Sequence, residues 1–336
     1  MSSAAHTALV LQGGGALGAY ELGAARRLYE EPGFAPDLVC GVSIGAVTAV
    51  LLARPKPPLT PLGALERFWE AVVVGGWPMP PMWGAMAAMF GNPHFFVPRT
   101  DLIDMASWTS LYDTRPLLQT LSELVDVAAL EDPAAEPRLL FSAADVEAGE
   151  VAYFDSAEAG LTLTHVLASA SLPPAFPMTL VEGRGYWDGG LFDNTPLGAV
   201  LDRLSRDAAT TRRVVVVSLF PNQAPLPRTL TEVSERAVSL LFANRTCEDL
   251  KLMARFDEVA RLMRALETLE GGNPLAGDPA FEAVAARDYV AAPAVISITR
   301  PEMVEGFDGI DFTPATIEAR AAEGYRQTDK ILAEQG

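Results

Sequence analysis

Ser43 stands in a setting typical of a catalytic nucleophile. It is the central residue of Gly41-Val42-Ser43-Ile44-Gly45, a GxSxG pattern between a short apolar run and a helical stretch. On a tight strand-to-helix turn the serine side chain is exposed, and small flanking residues let neighbouring elements approach it. The amino-terminal end of a helix also stabilises negative charge that develops on a reacting group. The pattern therefore predicts a nucleophilic serine, with Gly41 and Gly45 supporting the turn.

A glycine cluster precedes this serine and lies between a predicted strand and a predicted helix. It comprises Gly13, Gly14 and Gly15, followed by Ala16 and then Gly18. One interpretation is the GxGxxG fingerprint of a dinucleotide site, which requires a carboxylate at the end of the second strand to bind the ribose. The second predicted strand ends without one. We therefore favour an oxyanion hole, in which backbone N–H groups from Gly13 to Ala16 face a tetrahedral oxyanion above the serine.

The candidate general base is an aspartate rather than a histidine. Asp188 follows an apolar aromatic pair and precedes Gly189 and Gly190. Partial burial would raise the pKa of such a carboxylate and improve it as a base, and the glycines allow close approach to the serine. A plain Asp-Gly-Gly turn is the alternative that this pattern leaves open. The histidines stand in no recognisable triad context, and we interpret them as structural: they are His6, His94 and His165.

Two strand–turn–helix units carry these residues. The first joins a strand at 7–11 to a helix at 19–30, and the second joins a strand at 37–40 to a helix at 46–53. This repetition is typical of a parallel α/β sheet. The further predicted strands are 138–145, 151–155, 213–220 and 294–299. A long helix is predicted at 230–269, and we assign its apolar side chains to core packing, with a partner or membrane surface as the alternative.

The length of the chain favours one domain with an elaboration. At 336 residues it is long for a single domain and short for two full ones. We predict a single domain over 1–336, with an α/β core at 7–222. Residues 223–336 then form a helical elaboration that includes a strand near 294–299.

An apolar segment at 75–98 is dense in Trp, Met, Phe and Pro and nearly free of charge. Methionine side chains repack around varied partners, as an acyl chain requires of its binding site. We hypothesise that this segment is a lid or an acyl-chain wall over Ser43, with core packing beneath a loop as the alternative. The candidate lining residues are Trp77, Met79, Met82, Trp83, Met86, Met89 and Phe90. Phe95 and Phe96 belong to the same segment.

The charge balance excludes some classes of partner. The net charge is −18 and the isoelectric point is near 4.6, so the chain lacks the basic surface of a nucleic-acid binder. Anionic membranes should repel it, and any transient membrane contact must depend on apolar surface. The two cysteines suggest neither a disulfide framework nor a zinc site. With neither a signal peptide nor an apolar stretch of about 18 residues, we expect a soluble, cytoplasmic protein of unknown oligomeric state.

Four sequence blocks together resemble the patatin-like phospholipase family. They lie at 13–18, 41–45, 168–177 and 188–196, in the family's order and spacing along residues 7–222. The resemblance implies a patatin-like three-layer α/β sandwich, with a mostly parallel central sheet flanked by helices and a nucleophile on a strand–turn–helix elbow. It also implies a Ser–Asp dyad without histidine, and hydrolysis of lipid acyl esters through an acyl-enzyme. Neither a metal nor a cofactor is expected.

Individual roles carry over by motif position. The resemblance implies that Ser43 is the nucleophile, that Asp188 is its base, and that Gly14 and Gly15 donate to the oxyanion. Two alternative functions stay open, because each would use the same residues or the same pocket. One is an acyltransferase or thioesterase with this dyad, and the other is a non-catalytic lipid-binding protein. The sequence leaves open which lipid is cut and at which position.

Overall fold

The chain folds around a mixed sheet of eight strands that is parallel over most of its width. The computed structural model describes residues 5–75, 90–101, 107–205, 210–243, 246–269, 272–285, 293–301 and 308–335. The strands in this part of the chain are β1 Ala5–Leu11, β2 Leu38–Gly41, β3 Val97–Pro98, β4 Tyr112–Asp113, β5 Arg138–Asp145, β6 Glu150–Asp155, β7 Thr179–Val181, β8 Arg184–Asp188, β9 Thr211–Ser218 and β10 Ala294–Thr299. The short strands β3 and β4 form a separate antiparallel pair.

The order of strands in the main sheet is β10-β9-β1-β2-β5-β8-β7, and β6 also pairs with β5. All pairs from β10 to β5 are parallel, whereas β6, β7 and β8 join in antiparallel pairs. The predicted α/β fold with a mostly parallel central sheet is therefore confirmed.

Helices flank this sheet on both faces. They are α1 Ala19–Tyr29, α2 Ile44–Ala53, α3 Pro61–Ala71, α4 Arg115–Leu124, α5 Val127–Glu131, α6 Leu163–Ser169, α7 Leu197–Leu201, α8 Leu230–Phe242, α9 Thr246–Glu267, α10 Pro279–Ala285 and α11 Pro314–Gln335. Val215 and Val217 of β9 pack in the larger core cluster, which includes α1, α2 and α3. Val214 and Val216 face the other way and pack with α7. A strand covered on both faces reads as a continuous apolar run, which is why β9 was recognisable in the sequence. None of the helices in the described ranges has the length and apolar character needed to span a membrane.

The pairing around β5 brings two distant parts of the chain together. β2 pairs with β5 at residues 138–141 and β8 pairs with it at 143–145, while β6 pairs at 140–145. Since a strand has only two edges, β2 and β8 must share the edge opposite β6. They lie end to end along it, with their carboxyl ends facing each other. Gly41 is opposite Phe141 and Asp188 is opposite Ala143, so the residues that follow β2 meet the end of β8.

The predicted helix at 230–269 is wrong in two respects. It is two helices, because Ala243 has the extended angles φ −58° and ψ 145° and ends α8. Its apolar residues are also only partly core: Ala260 is 3% exposed, and Phe242 and Met253 pack against the core clusters, but four leucines do not. Leu240, Leu241, Leu252 and Leu262 are 55%, 78%, 48% and 60% exposed. Transient membrane contact stays a prediction, for which these leucines are the candidate surface.

The C-terminal third also contributes to the sheet itself. β10 covers the residues 294–299 that the sequence predicts as a strand, and it pairs with β9 at the edge of the main sheet. α11 packs along α1. The division of the chain at residue 222 stays a prediction.

Candidate active site

Ser43 occupies a strained turn between β2 and α2. Its backbone angles are φ 57° and ψ −122°, a left-handed conformation that costs a non-glycine residue about 1–3 kcal/mol. The turn is tight enough to exclude side chains beside it. A Cβ atom on Gly41 would lie 2.1 Å from the carbonyl oxygen of Gly45, and one on Gly45 would lie 2.3 Å from that of Leu11. The close approach of α2 to the ends of β1 and β2 therefore requires both glycines.

The backbone of Ser43 is held by a second serine. The Ser43 N–H donates to the Oγ of Ser169, at 3.1 Å. Ser169 is the last residue of α6 and is fully buried. The sequence identified its block, 168–177, as a motif but assigned no role to this residue.

Asp188 is the buried carboxylate of the site. It is only 2% exposed, and the N–H of Gly190 donates to its Oδ1 at 2.8 Å. Burial raises the pKa of Asp188 to about 6, against the lowering effect of hydrogen bonds from the Ser43 side chain and the Gly190 N–H. The carboxylate is therefore ionised at neutral pH and is a stronger base than an exposed aspartate.

The glycine cluster lies beside Ser43. Gly13, Gly14 and Gly15 line the same cavity as Ser43 and Asp188. The Gly13 N–H donates to the Oδ1 of Asn194 at 3.1 Å, so that donor is already engaged. Among the described residues, the N–H groups of Gly14 and Gly15 donate no main-chain hydrogen bond outside the regular elements.

The other predicted motif residues have supporting positions. Ala16 is fully buried and lies outside the cavity lining. Gly18 packs against the side chain of Ile44, and Gly189 packs against Ser142. These residues let the elements around Ser43 approach one another.

An apolar cavity of about 310 Å³ opens beside Ser43 and Asp188. Its phenylalanines come from distant parts of the sequence: Phe95, Phe96, Phe176, Phe220, Phe242 and Phe312. The C-terminal third also contributes Val238, Gly309 and Ile310. No local pattern identified these C-terminal residues, because only the packing of α8 and of the 3₁₀ turn Asp308–Ile310 brings them to the site.

The residues predicted to line an acyl-chain site differ in where the structure places them. Trp77, Met79, Met82, Trp83, Met86 and Met89 lie outside the described residues. Phe90 is 74% exposed and is not among the residues that line the cavity, contrary to expectation. Phe95 and Phe96, from the same apolar segment, are 4% and 3% exposed and form part of the cavity wall.

None of the three histidines lines the cavity. The Nδ1 of His165 accepts the N–H of Thr162 at 3.0 Å and completes the amino-terminal cap of α6. Its ring packs edge-on against Phe154. His6 accepts the N–H of Ser205 at 2.8 Å, and His94 is exposed. Among the described residues, no three His, Cys, Asp or Glu side chains are grouped as a metal site.

Comparisons with known proteins place this geometry in context. Residues 9–201 match the family model described as patatin-like phospholipase. Among solved structures, the chain is similar to the crystal structure of VipD from Legionella pneumophila. The two are 17% identical, with a TM-score of 0.42, and the match covers 98% of this chain and 67% of that one. No curated protein gives a significant match.

Proposed function

The chain belongs to the patatin-like phospholipase family, and from that premise we propose that it is a serine hydrolase that cleaves lipid acyl esters with a Ser43–Asp188 dyad. Family membership by itself implies lipid acyl hydrolysis. The assignment of the dyad depends on one observation above all. Ser43, on its strained turn, faces a buried carboxylate at the mouth of an apolar cavity.

The first half of the reaction forms an acyl-enzyme. The Ser43 oxygen attacks the ester carbonyl carbon while its proton passes to Asp188. The negative charge on the tetrahedral oxygen is stabilised by the N–H groups of Gly14 and Gly15. When the intermediate collapses, the bond to the leaving oxygen breaks, and the protonated Asp188 returns the proton to the departing alcohol.

The second half releases the fatty acid. Water attacks the acyl carbon of the Ser43 ester, and Asp188 accepts a proton from that water. The second tetrahedral intermediate collapses to the free acid and Ser43, which regains its proton from Asp188. The cycle needs no other titratable side chain.

Hydrolysis of p-nitrophenyl esters from acetate to dodecanoate tests the proposal directly. We expect turnover of the whole series and stoichiometric labelling of Ser43 by a fluorophosphonate, identified by mass spectrometry. An inert wild-type protein that also resists the phosphonate would contradict a serine hydrolase. Faster cleavage of acyl-thioesters than of any oxygen ester would favour a thioesterase instead.

Gly15→Ala is expected to lower kcat about 100-fold or more, the typical effect of losing one oxyanion donor. Gly15 has φ +58°, and a Cβ there would lie 2.3 Å from the carbonyl oxygen of Gly309. The loop must therefore move away from the Gly309 backbone, and its N–H groups move with it. The measurement is kcat for p-nitrophenyl acetate.

Gly149→Ala is the matched control for this variant. Gly149 has a similar φ of +68°, but a Cβ there would meet nothing within 4 Å. Both substitutions place alanine in the left-handed region, at about 1–2 kcal/mol, so both should lower the melting temperature. Only Gly15→Ala should lower kcat, and equal kcat in the two variants would exclude the proposed donors.

Ala175→Phe is expected to shift the substrate preference towards short acyl chains. Ala175 lines the 310 Å³ cavity, and a phenyl ring there would occupy space that a long chain needs. Overfilling of this kind costs about 1–3 kcal/mol, so the ratio of kcat/KM for decanoate to that for acetate should fall about tenfold or more. Ala159→Phe, on an exposed turn, should leave the ratio unchanged. An unaltered ratio in Ala175→Phe would show that the acyl chain binds elsewhere.

A further inference from the structure

Asn194 connects the glycine loop, defined here as Gly13 to Gly15, to a helix from the C-terminal third. Its Oδ1 accepts the N–H of Gly13 at 3.1 Å, and its Nδ2 donates to the carbonyl oxygens of Gly13 and of Phe242, each at 3.1 Å. The side chain is 7% exposed. A reversed amide would place its NH₂ against the Gly13 N–H and its oxygen against two carbonyls, so the orientation is set by its partners.

Gln12 makes a second connection to the same carbonyl. This side chain is fully buried, and its Oε1 accepts the N–H groups of Leu219 and Phe220 at 2.6 and 3.1 Å. Its Nε2 donates to Thr195 Oγ1 at 2.8 Å and to the Phe242 carbonyl at 3.2 Å. The Phe242 carbonyl therefore accepts two hydrogen bonds from buried amides.

Phe242 is the last residue of α8, and the carbonyls in the last turn of a helix have no partner within the helix. Here the partners are Gln12, directly before the glycine cluster, and Asn194, in the segment after Asp188. The end of α8 is therefore capped by the site itself. The helix also lies beyond residues 9–201, the stretch that matches the family model.

The same contacts restrain the proposed oxyanion donors. Gly13 directly precedes Gly14 and Gly15, and Asn194 holds both its N–H and its carbonyl. Oxyanion donors act only within about 2.7–3.1 Å of the developing charge. A shift of about 1 Å in this loop is enough to lower turnover about 100-fold.

We propose that Asn194 is a positioning residue for the oxyanion loop and that, together with Gln12, it couples this loop to the carboxyl end of α8. This inference rests on the proposed hydrolase function. Loss of the Asn194 side chain leaves the N–H of Gly13 and the carbonyls of Gly13 and Phe242 short of partners in a buried setting. The loop and the end of α8 then loosen together, while Ser43 and Asp188 stay paired.

The experiment compares Asn194→Ala and Asn194→Asp with wild type, using kcat and KM for p-nitrophenyl acetate and the fluorophosphonate labelling rate of Ser43. Both variants should lose about 10- to 100-fold in kcat and in labelling rate, with KM within about twofold. The fall of kcat/KM at acid pH, which follows protonation of the Asp188 carboxyl with its pKa of about 6, should stay where it is. Aspartate keeps the acceptor for the Gly13 N–H but loses both donors, so full activity in Asn194→Asp would overturn the coupling to α8.

Amide hydrogen exchange supplies a readout that does not depend on turnover. In both Asn194 variants, peptides covering 12–17 and 238–243 should exchange faster together. Unchanged exchange at either segment would overturn the inference, whatever the activity of the variant. If wild type cleaves no ester and resists the phosphonate, the proposed function fails, and exchange still decides whether the coupling exists.

Ser156→Ala is the control. Ser156 is also buried, at 1% exposure, and its Oγ accepts the main-chain N–H of Leu139 at 2.8 Å, away from the cavity. Its loss should lower the melting temperature without lowering kcat for acetate or loosening residues 12–17. A comparable loss of kcat in Ser156→Ala would mean that Asn194 acts only through general stability.

Discussion

Ser43→Ala is expected to lower kcat for p-nitrophenyl acetate by about four to six orders of magnitude, the range seen when a catalytic serine is removed from a hydrolase. The variant lacks the oxygen that forms the acyl-enzyme, so fluorophosphonate labelling should vanish as well. Alanine also lacks the hydroxyl that donates to Asp188, and the pKa of that carboxyl should rise further. Single-turnover hydrolysis measures the loss of turnover, and intact-mass spectrometry measures the loss of labelling.

Ser156→Ala is the control for this experiment. Ser156 is buried, at 1% exposure, and its Oγ accepts the N–H of Leu139 at 2.8 Å, away from the cavity. Its removal should cost about 1 kcal/mol of stability and leave kcat near that of wild type. Residual activity of Ser43→Ala above a hundredth of wild type would exclude Ser43 as the nucleophile.

Asp188→Asn is expected to lower kcat by about three to four orders of magnitude, because the amide cannot accept the serine proton. It keeps the shape of the side chain and an oxygen for the Gly190 N–H. In wild type, burial raises the pKa of Asp188 to about 6, and only the ionised form is a base. We therefore expect kcat/KM to fall tenfold per pH unit below about 6 and to level off above it, and this limb should be absent in Asp188→Asn.

The same substitution should stabilise the protein at neutral pH. The pKa of Asp188 is raised on folding from 3.8 to about 6, so the carboxyl favours the folded state below pH 3.8. This contribution is lost as the pH rises through about 6. At neutral pH the buried, ionised carboxylate therefore costs the folded state about 3 kcal/mol at most, and Asp188→Asn removes this cost. Denaturant unfolding at pH 4 and pH 8 should show a gain for the variant only at pH 8.

Two outcomes would overturn the role of Asp188. If Asp188→Asn keeps near-full activity while folded, the base must be another group. If kcat/KM instead falls only below about pH 4, as expected for a base with the pKa of an exposed carboxyl, the buried carboxylate is not the base. Either result would leave Ser43 without the partner that the structure places beside it.

Short-range chemistry explains why the centre of this site could be predicted from the sequence. The GxSxG turn is a local device, because the glycines at 41 and 45 are required by contacts within the turn and with the end of β1. The strands around this turn can also be predicted from the sequence, because each is a local run of apolar residues. Asp188 was identified as a candidate base by its immediate neighbours, an apolar pair before it and two glycines after it.

The surroundings of the site depend on contacts between distant residues. Asn194 lies in the sequence block 188–196, but nothing local indicates its partners Gly13 and Phe242, which lie 181 and 48 residues away. The six cavity phenylalanines likewise converge from five separate parts of the sequence. The prediction of one long helix at 230–269 failed because apolar spacing does not reveal a break after Phe242 or show which face meets the core.

The sequence by itself therefore determined the family, the α/β fold and the pair of side chains proposed to react. These depend on local backbone geometry and on strand and helix periodicity, which adjacent residues encode. Only the tertiary structure decided that β8 runs antiparallel to β5 on the edge it shares with β2, which is what brings Asp188 to Ser43. It also decided that α8 lines the cavity and is tied to the glycine loop, because hydrogen bonds and apolar packing between distant segments form only when the whole sheet has assembled.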